Sequence, residues 1–96
     1  MAELLTVHDP RGYPPKVAGK RLAARPDTLN GKNVYLVDCL FESSDVFMAQ
    51  LQQWFAVHLP AVATRIIRPR ASMMDDPDMR ATIATQGNAA IIGVGL

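Results

Sequence analysis

Three short apolar runs, at residues 34–37, 61–67 and 89–95, constrain the fold of this chain more than any other feature. The first, Val34-Tyr35-Leu36-Val37, follows the turn signal Asn30-Gly31 and ends at Asp38. It is β-branched and aromatic and does not alternate, the pattern of a strand buried on both faces of a parallel sheet. The second run takes its apolar content from Val62, Ile66 and Ile67 and is closed by Pro69. The third, Ala89-Ala90-Ile91-Ile92-Gly93-Val94-Gly95, predicts another buried strand. Helical signals separate the three. Ser43 or Ser44 can cap a helix with Asp45 in its first turn. Phe47, Leu51, Trp54, Phe55 and His58 then recur on one face of a 3.6-residue period, and Pro60 stops the helix. Asp75-Asp76-Pro77-Asp78 reads as a second helix start, with an Asp cap and proline at the first helical position. Met79 and Ile83 face inward from it, and Gly87 is placed to end it. Met48, Met73, Met74 and Met79 are expected as core filler.

Strands alternating with helices predict the α/β class, here a partial Rossmann-like three-layer β-α-β-α-β arrangement. An extended arm precedes it. Four of the seven prolines (Pro10, Pro14, Pro15, Pro26) fall in the first 32 residues, which carry six basic and three acidic residues. Proline fixes φ and restrains its predecessor, so this stretch holds neither a long helix nor a central strand. Residues 1–29 are read as the arm, with a short helical turn near 18–24, and residues 30–96 as the α/β portion. The arm either wraps the domain surface or docks a partner. Lys20-Arg21, without interleaved aromatics, gives no nucleic-acid signal.

Composition excludes further classes. A net charge of +1, 49% hydrophobic and 20% charged residues describe an ordinary globular domain rather than a disordered or supercharged one. One cysteine, Cys39, leaves no internal disulfide and no Cys-rich zinc site. No apolar stretch approaches the roughly 20 residues a bilayer span needs. Met1-Ala2-Glu3-Leu4-Leu5 lacks a basic n-region and an apolar h-region, so a cytoplasmic location is expected.

Ligands of open parallel sheets bind at the carboxyl ends of the strands. That rule nominates Asp38-Cys39, Arg68-Pro69-Arg70 and Gly93-Val94-Gly95. Asp38 either orients a ligand hydroxyl or acts as a general base, or it caps its own turn. Arg68 and Arg70 either clamp a carboxylate or phosphate, or pair with the acids at 75–78. Cys39 is a small core hydrophobe or a redox thiol. His58 suits the last turn of its helix, and His8 has no metal-ligand spacing to any partner. Gly93-x-Gly95 begins like a phosphate loop but lacks the third glycine and the helix. The third run also presents an apolar edge that nothing in the sequence covers, so a partner chain or a missing C-terminal half is expected there.

Three blocks together resemble the UGSC-motif family of thiol or selenoproteins, over residues 27–95. They are Asn30-Gly31-Lys32-Asn33-Val34-Tyr35-Leu36-Val37-Asp38, Trp54-Phe55-Ala56-Val57-His58-Leu59-Pro60, and Gln86-Gly87-Asn88 leading into the third run. The resemblance implies a Rossmann-like protein whose Gly-x-Gly strand end runs into a motif with Cys or selenocysteine, followed closely by another Cys. The chalcogen then sits at the carboxyl end of the third strand, where a helix N-terminus favours its anionic form. Here Leu96 follows Gly95 and the motif is absent, so no family catalytic residue transfers. The expectation is an N-terminal portion, inactive alone, as a UGA codon read as stop, a frameshift or a split gene would give. The alternatives are a small docking subunit and a stand-alone anion-binding domain; no cofactor is indicated.

Overall fold

The computed structural model describes residues 3–13, 19 and 21–95. Five elements follow in order: β1 (Asn33–Asp38), α1 (Ser44–His58), β2 (Ala63–Ile67), α2 (Pro77–Gln86) and β3 (Ala89–Gly93). The strands form one parallel sheet in the order β2-β1-β3. The α/β class expected from the alternating pattern is the class observed.

β1 is central because it is apolar on both sides: Val34, Tyr35, Leu36 and Val37 are all buried. Val34 and Leu36 face α1 and share a core with Met48, Phe55 and Val62, flanked by Leu29, Leu51, Ile66 and Ala89. Tyr35 occupies the opposite face, where its hydroxyl meets Gln86 Oε1 at 3.3 Å at the end of α2. At the amino end of β1, the Asn33 N–H donates to Asn88 Oδ1 and its side-chain amide to the Gln86 carbonyl. The Asn88 N–H returns a bond to the Asn33 carbonyl, so the turn into β3 is clasped to the central strand. Gly31, at φ 73°, supplies the left-handed turn that starts β1.

α2 begins as its sequence predicts. Asp76 caps it by accepting from the Met79 N–H at 3.1 Å, and Pro77 takes the first helical position. Met79 and Ile83 are half-buried. Gly87 ends the helix in extended backbone (φ −102°), not the left-handed form. Its glycine is required by space: a Cβ there would stand 2.7 Å from Tyr35 Cδ2 and 2.8 Å from the Ile83 carbonyl oxygen.

Several expectations are corrected. α1 buries Ser44, Met48 and Phe55, with Leu51 half-buried, whereas Phe47 and Trp54 are about half exposed. The helix leans on β1 and β2, so the inward stripe lies one position, about 100°, round from Phe47. Ser43 precedes α1 in left-handed backbone and makes no side-chain cap. Met73 and Met74 are exposed and Met79 is half-buried; of the four methionines expected as core filler, Met48 is the fully buried one. β2 starts at Ala63 and β3 ends at Gly93, both shorter than the runs suggested. β3 is not a strand buried on both faces: Ile91 is 38% and Ile92 71% exposed, because α1 packs over β1 and β2 rather than over β3. Among its described residues the arm does not wrap the domain: residues 3–13 and 21–28 are exposed throughout. Of the turn expected over 18–24, Ala18 and Lys20 lie outside the described residues, as do Pro14, Pro15 and Leu96, and 21–24 carry no helix.

Candidate functional site at the carboxyl ends of the strands

The chain leaves β1 for β2 on one side and returns to β3 on the other, so the order reverses at β1. Crevices open at such reversals, beyond the carboxyl ends of the strands. Three nominated residues meet there. Asp38 pairs in register with Gly93, and Arg68 directly follows Ile67, the partner of Val37. Arg68, Asp38 and Gly93 therefore stand side by side across the three strand ends.

Asp38 is 1% exposed. Its Oδ1 accepts the Leu40 N–H at 2.9 Å and its Oδ2 accepts Arg68 Nε at 3.0 Å. The carboxylate closes its own turn, as one of the two readings of the sequence expected, and it also holds the Arg68 guanidinium. Burial is the largest single influence on its pKa and pushes it up. The Leu40 amide, the Ser44 hydroxyl and Arg68 together outweigh burial and hold the carboxyl below its ordinary range. The Arg68 side chain is half exposed, and among the described residues its two terminal nitrogens take no hydrogen bond.

Ser44, 1% exposed, binds the other side of the site. Its hydroxyl donates to the Gly93 carbonyl (3.2 Å) and accepts from the Val94 N–H (3.1 Å). One proton cannot serve Gly93 and Asp38 together, so the hydroxyl turns to one or the other. The Gly93 carbonyl also accepts the Cys39 N–H at 2.9 Å. β3 thus leaves the sheet tied to both β1 and α1. A Cβ at Gly93 would lie 3.2 Å from Met48 Cε, while Gly95 faces open space. Cys39 is half-buried, and its carbonyl accepts the Ser72 hydroxyl, fixing the loop after β2. Left-handed backbone at the non-glycine residues Leu40, Ser43 and Met73 falls in the two loops at this same end. Such conformations cost energy and persist where the surroundings over-determine them.

Arg70 goes elsewhere. Its guanidinium pairs with Asp78, and its N–H donates to Asp76 Oδ2 at 3.1 Å. Asp76 is held below the ordinary carboxylate range chiefly by the Met79 N–H, against a smaller opposing effect of burial. Arg80 pairs with Asp75 in the same way. The two arginines of the loop are therefore engaged by separate carboxylates and do not converge. Ser44 is the residue that sequence reasoning missed: a serine at a helix start signals a cap, not a bond to a strand 49 positions away.

A model of the UGSC family matches residues 6–96. The chain belongs to the UGSC family. No curated protein and no solved structure matches it. The match takes in the exposed segment 6–13 as well as the sheet, so this UGSC chain carries its family pattern into the arm. An open groove lined by Asp45, Val46, Ala49, Gln50 and Gln53 runs along the outer face of α1 and meets the site only at Arg68. The buried Asp38 and the strand ends lie outside it, and their geometry is the better guide to chemistry than the groove. Among the described residues no group of three or more His, Cys, Asp or Glu could hold a metal ion. No described helix is long and apolar enough to cross a membrane.

Proposed function

We propose that this UGSC-family chain is the N-terminal portion of a thiol or selenol protein and is inactive alone. Its work is to present Gly93-Val94-Gly95 at the carboxyl ends of the strands with Asp38 and Arg68 beside it. The reactive Cys or Sec is supplied by polypeptide beyond these residues. The observation that carries this reading is the double anchoring of the β3 exit, by the Ser44 hydroxyl and the Cys39 N–H, next to the buried Asp38 and its half-exposed partner Arg68. A segment held this firmly suits a group that must be positioned within fractions of an ångström. Supporting it further are the reversal of strand order at β1 and the left-handed loop residues at that end. Residues 1–29 act as a separate arm, 30–96 as half of a Rossmann-like layered domain, and other polypeptide covers β3. A reducing, cytoplasmic setting fits a free thiol or selenol.

The test is to read the gene through and past the Leu96 codon, express the full product and map iodoacetamide alkylation by mass spectrometry. The expected result is a chalcogen C-terminal to Gly95 that is alkylated well below the pH at which an ordinary thiol reacts. A product with no alkylatable group after Gly95 overturns the reading.

Arg68 favours a second reading, a stand-alone anion site, because its terminal nitrogens are free among the described residues. Phosphate or a small carboxylate then raises the melting midpoint of the 96-residue chain, and the rise disappears in Arg68→Ala. An unmoved midpoint removes this alternative.

A further inference from the structure

We propose that the groove on the outer face of α1 binds a small zwitterion, an ammonium and a carboxylate on one short chain, with the carboxylate on Arg68 and the ammonium on Asp45. This rests on the reading of Arg68 as an anion-binding group and names the kind of molecule that carries the anion; it is independent of the chalcogen chemistry.

The groove holds one charge of each sign, and the two do not satisfy each other. The Arg68 guanidinium is held through Nε by the buried Asp38, which fixes its plane and leaves both terminal nitrogens for another acceptor. Asp45 stands in the first turn of α1, lines the same groove, and enters no ion pair among the described residues. A guanidinium with Asp38 bound to it and Asp45 in the same groove is a poor seat for a plain anion, because both carboxylates repel one. A ligand with its own cation a few bonds from its carboxylate turns Asp45 from an obstacle into a partner.

The rest of the groove suits the body of such a ligand. Asp45, Ala49 and Gln53 follow one another a turn apart along α1, with Val46 and Gln50 in the next row. Val46 and Ala49 supply a small apolar floor. The Gln50 and Gln53 amides make no hydrogen bond among the described residues, whereas Gln52 between them is committed to the Thr64 carbonyl of β2. The volume, about 540 Å³, lies within the range of small-molecule sites. Arg68 directly follows β2, so the groove belongs to the β2 side of α1. β3, with any polypeptide that follows it, starts on the far side of β1. The lining of the groove is therefore complete in the residues described.

Calorimetric titration and amide chemical shifts of the full gene product test the proposal. The probes are glycine, β-alanine and γ-aminobutyrate, which separate the two charges by increasing lengths, with acetate and methylammonium as single-charge controls. At least one zwitterion is expected to bind about tenfold or more tightly than either control and to shift the amide signals of Ala49 and Gln53. Asp45→Asn and Arg68→Gln should each weaken that probe about tenfold or more, while Arg80→Gln leaves it unchanged. Arg68→Gln also strips Asp38 of its partner, so Ala49→Trp is a second probe. It fills the groove at an exposed helical position, replaces neither charge, and should abolish binding with the circular dichroism unchanged. No binding by any zwitterion overturns the proposal; if acetate also fails to bind, the anion reading of Arg68 falls with it. Acetate binding as tightly as the best zwitterion, or an affinity unmoved by Asp45→Asn, overturns the proposal and leaves Arg68 a plain anion site. Each of these failures leaves the alkylation test of the proposed function untouched.

Discussion

The two flanks of β1 are finished to different degrees. On the β2 side, α1 lies across both strands, Arg65 blunts the outer edge, and Arg68 reaches back to the buried carboxylate of Asp38. On the β3 side, an uncharged strand leaves Ile92 71% exposed; it is paired to β1 and clasped at its start by Asn33 and at its end by Ser44 and Cys39. Both outer strands are edges, but the β2 side is packed by α1 and carries a charge, whereas the β3 side is barer, and the candidate site lies between them.

Removing large apolar side chains from the centre and from the open flank measures that asymmetry. Leu36 is fully buried between α1 and both neighbouring strands, so Leu36→Ala should cost about 3 kcal/mol in urea unfolding. Ile92→Ala, made where most of the side chain is already in solvent, should cost under about 0.5 kcal/mol at concentrations where the chain is monomeric. Equal costs would mean that β3 is covered in the monomer and would erase the contrast.

A smaller loss is expected on the face that α2 covers. Gly87→Ala drives a methyl group against the Tyr35 ring and the Ile83 carbonyl, and one of these is backbone that cannot yield cheaply. About 2 kcal/mol of destabilisation should follow. Gly93→Ala meets only the flexible end of Met48 and should cost less than half as much. If Gly93→Ala proves the more damaging, the exit of β3 is more tightly built than the rest of the open flank.

What could be read in the sequence was what local chemistry decides. Val34-Tyr35-Leu36-Val37 announced a strand buried on both faces because all four residues are apolar, and Asp76-Pro77 announced the start of α2 because capping acts over three residues. The inward face of α1 was not legible. A helix offers a wide apolar arc, and the position of the strands beneath it decides which part is buried; here Met48 is in and Phe47 is half out. Asp38 and Arg68 were each nominated by the rule for strand ends, but their pairing spans 30 positions and depends on β2 lying beside β1. The bond from Ser44 to Gly93 depends equally on β3 lying on the opposite side. Arg70 could be placed with its neighbouring acids because Asp78 is only eight residues away.

A further expected effect is one of pH, and it separates the strand ends at Asp38 from the loop around α2. Asp38 and Asp76 are both held below the ordinary carboxylate value in the folded state. For Asp38 burial opposes the shift and the bonds from Leu40, Ser44 and Arg68 outweigh it; for Asp76 the Met79 N–H leads, with burial opposing. A carboxyl whose folded pKa is depressed stabilises the fold fully above its unfolded value, about 3.9, and that contribution is lost as pH falls through the folded value. Unfolding free energy should therefore be flat in this respect near neutrality and decline in acid, below about pH 4. Asp38→Asn keeps an acceptor for the Leu40 N–H but loses the charge facing Arg68. It should lower stability at pH 7 by about 1 kcal/mol and flatten the acid decline, because one of the two titrating groups is gone. Asp76→Asn should flatten the same limb while leaving the Arg68 guanidinium where it is. If the acid decline is identical in wild type and Asp38→Asn, the carboxylate does not carry its charge at the strand ends, and the Asp38–Arg68 contact there is not an ion pair.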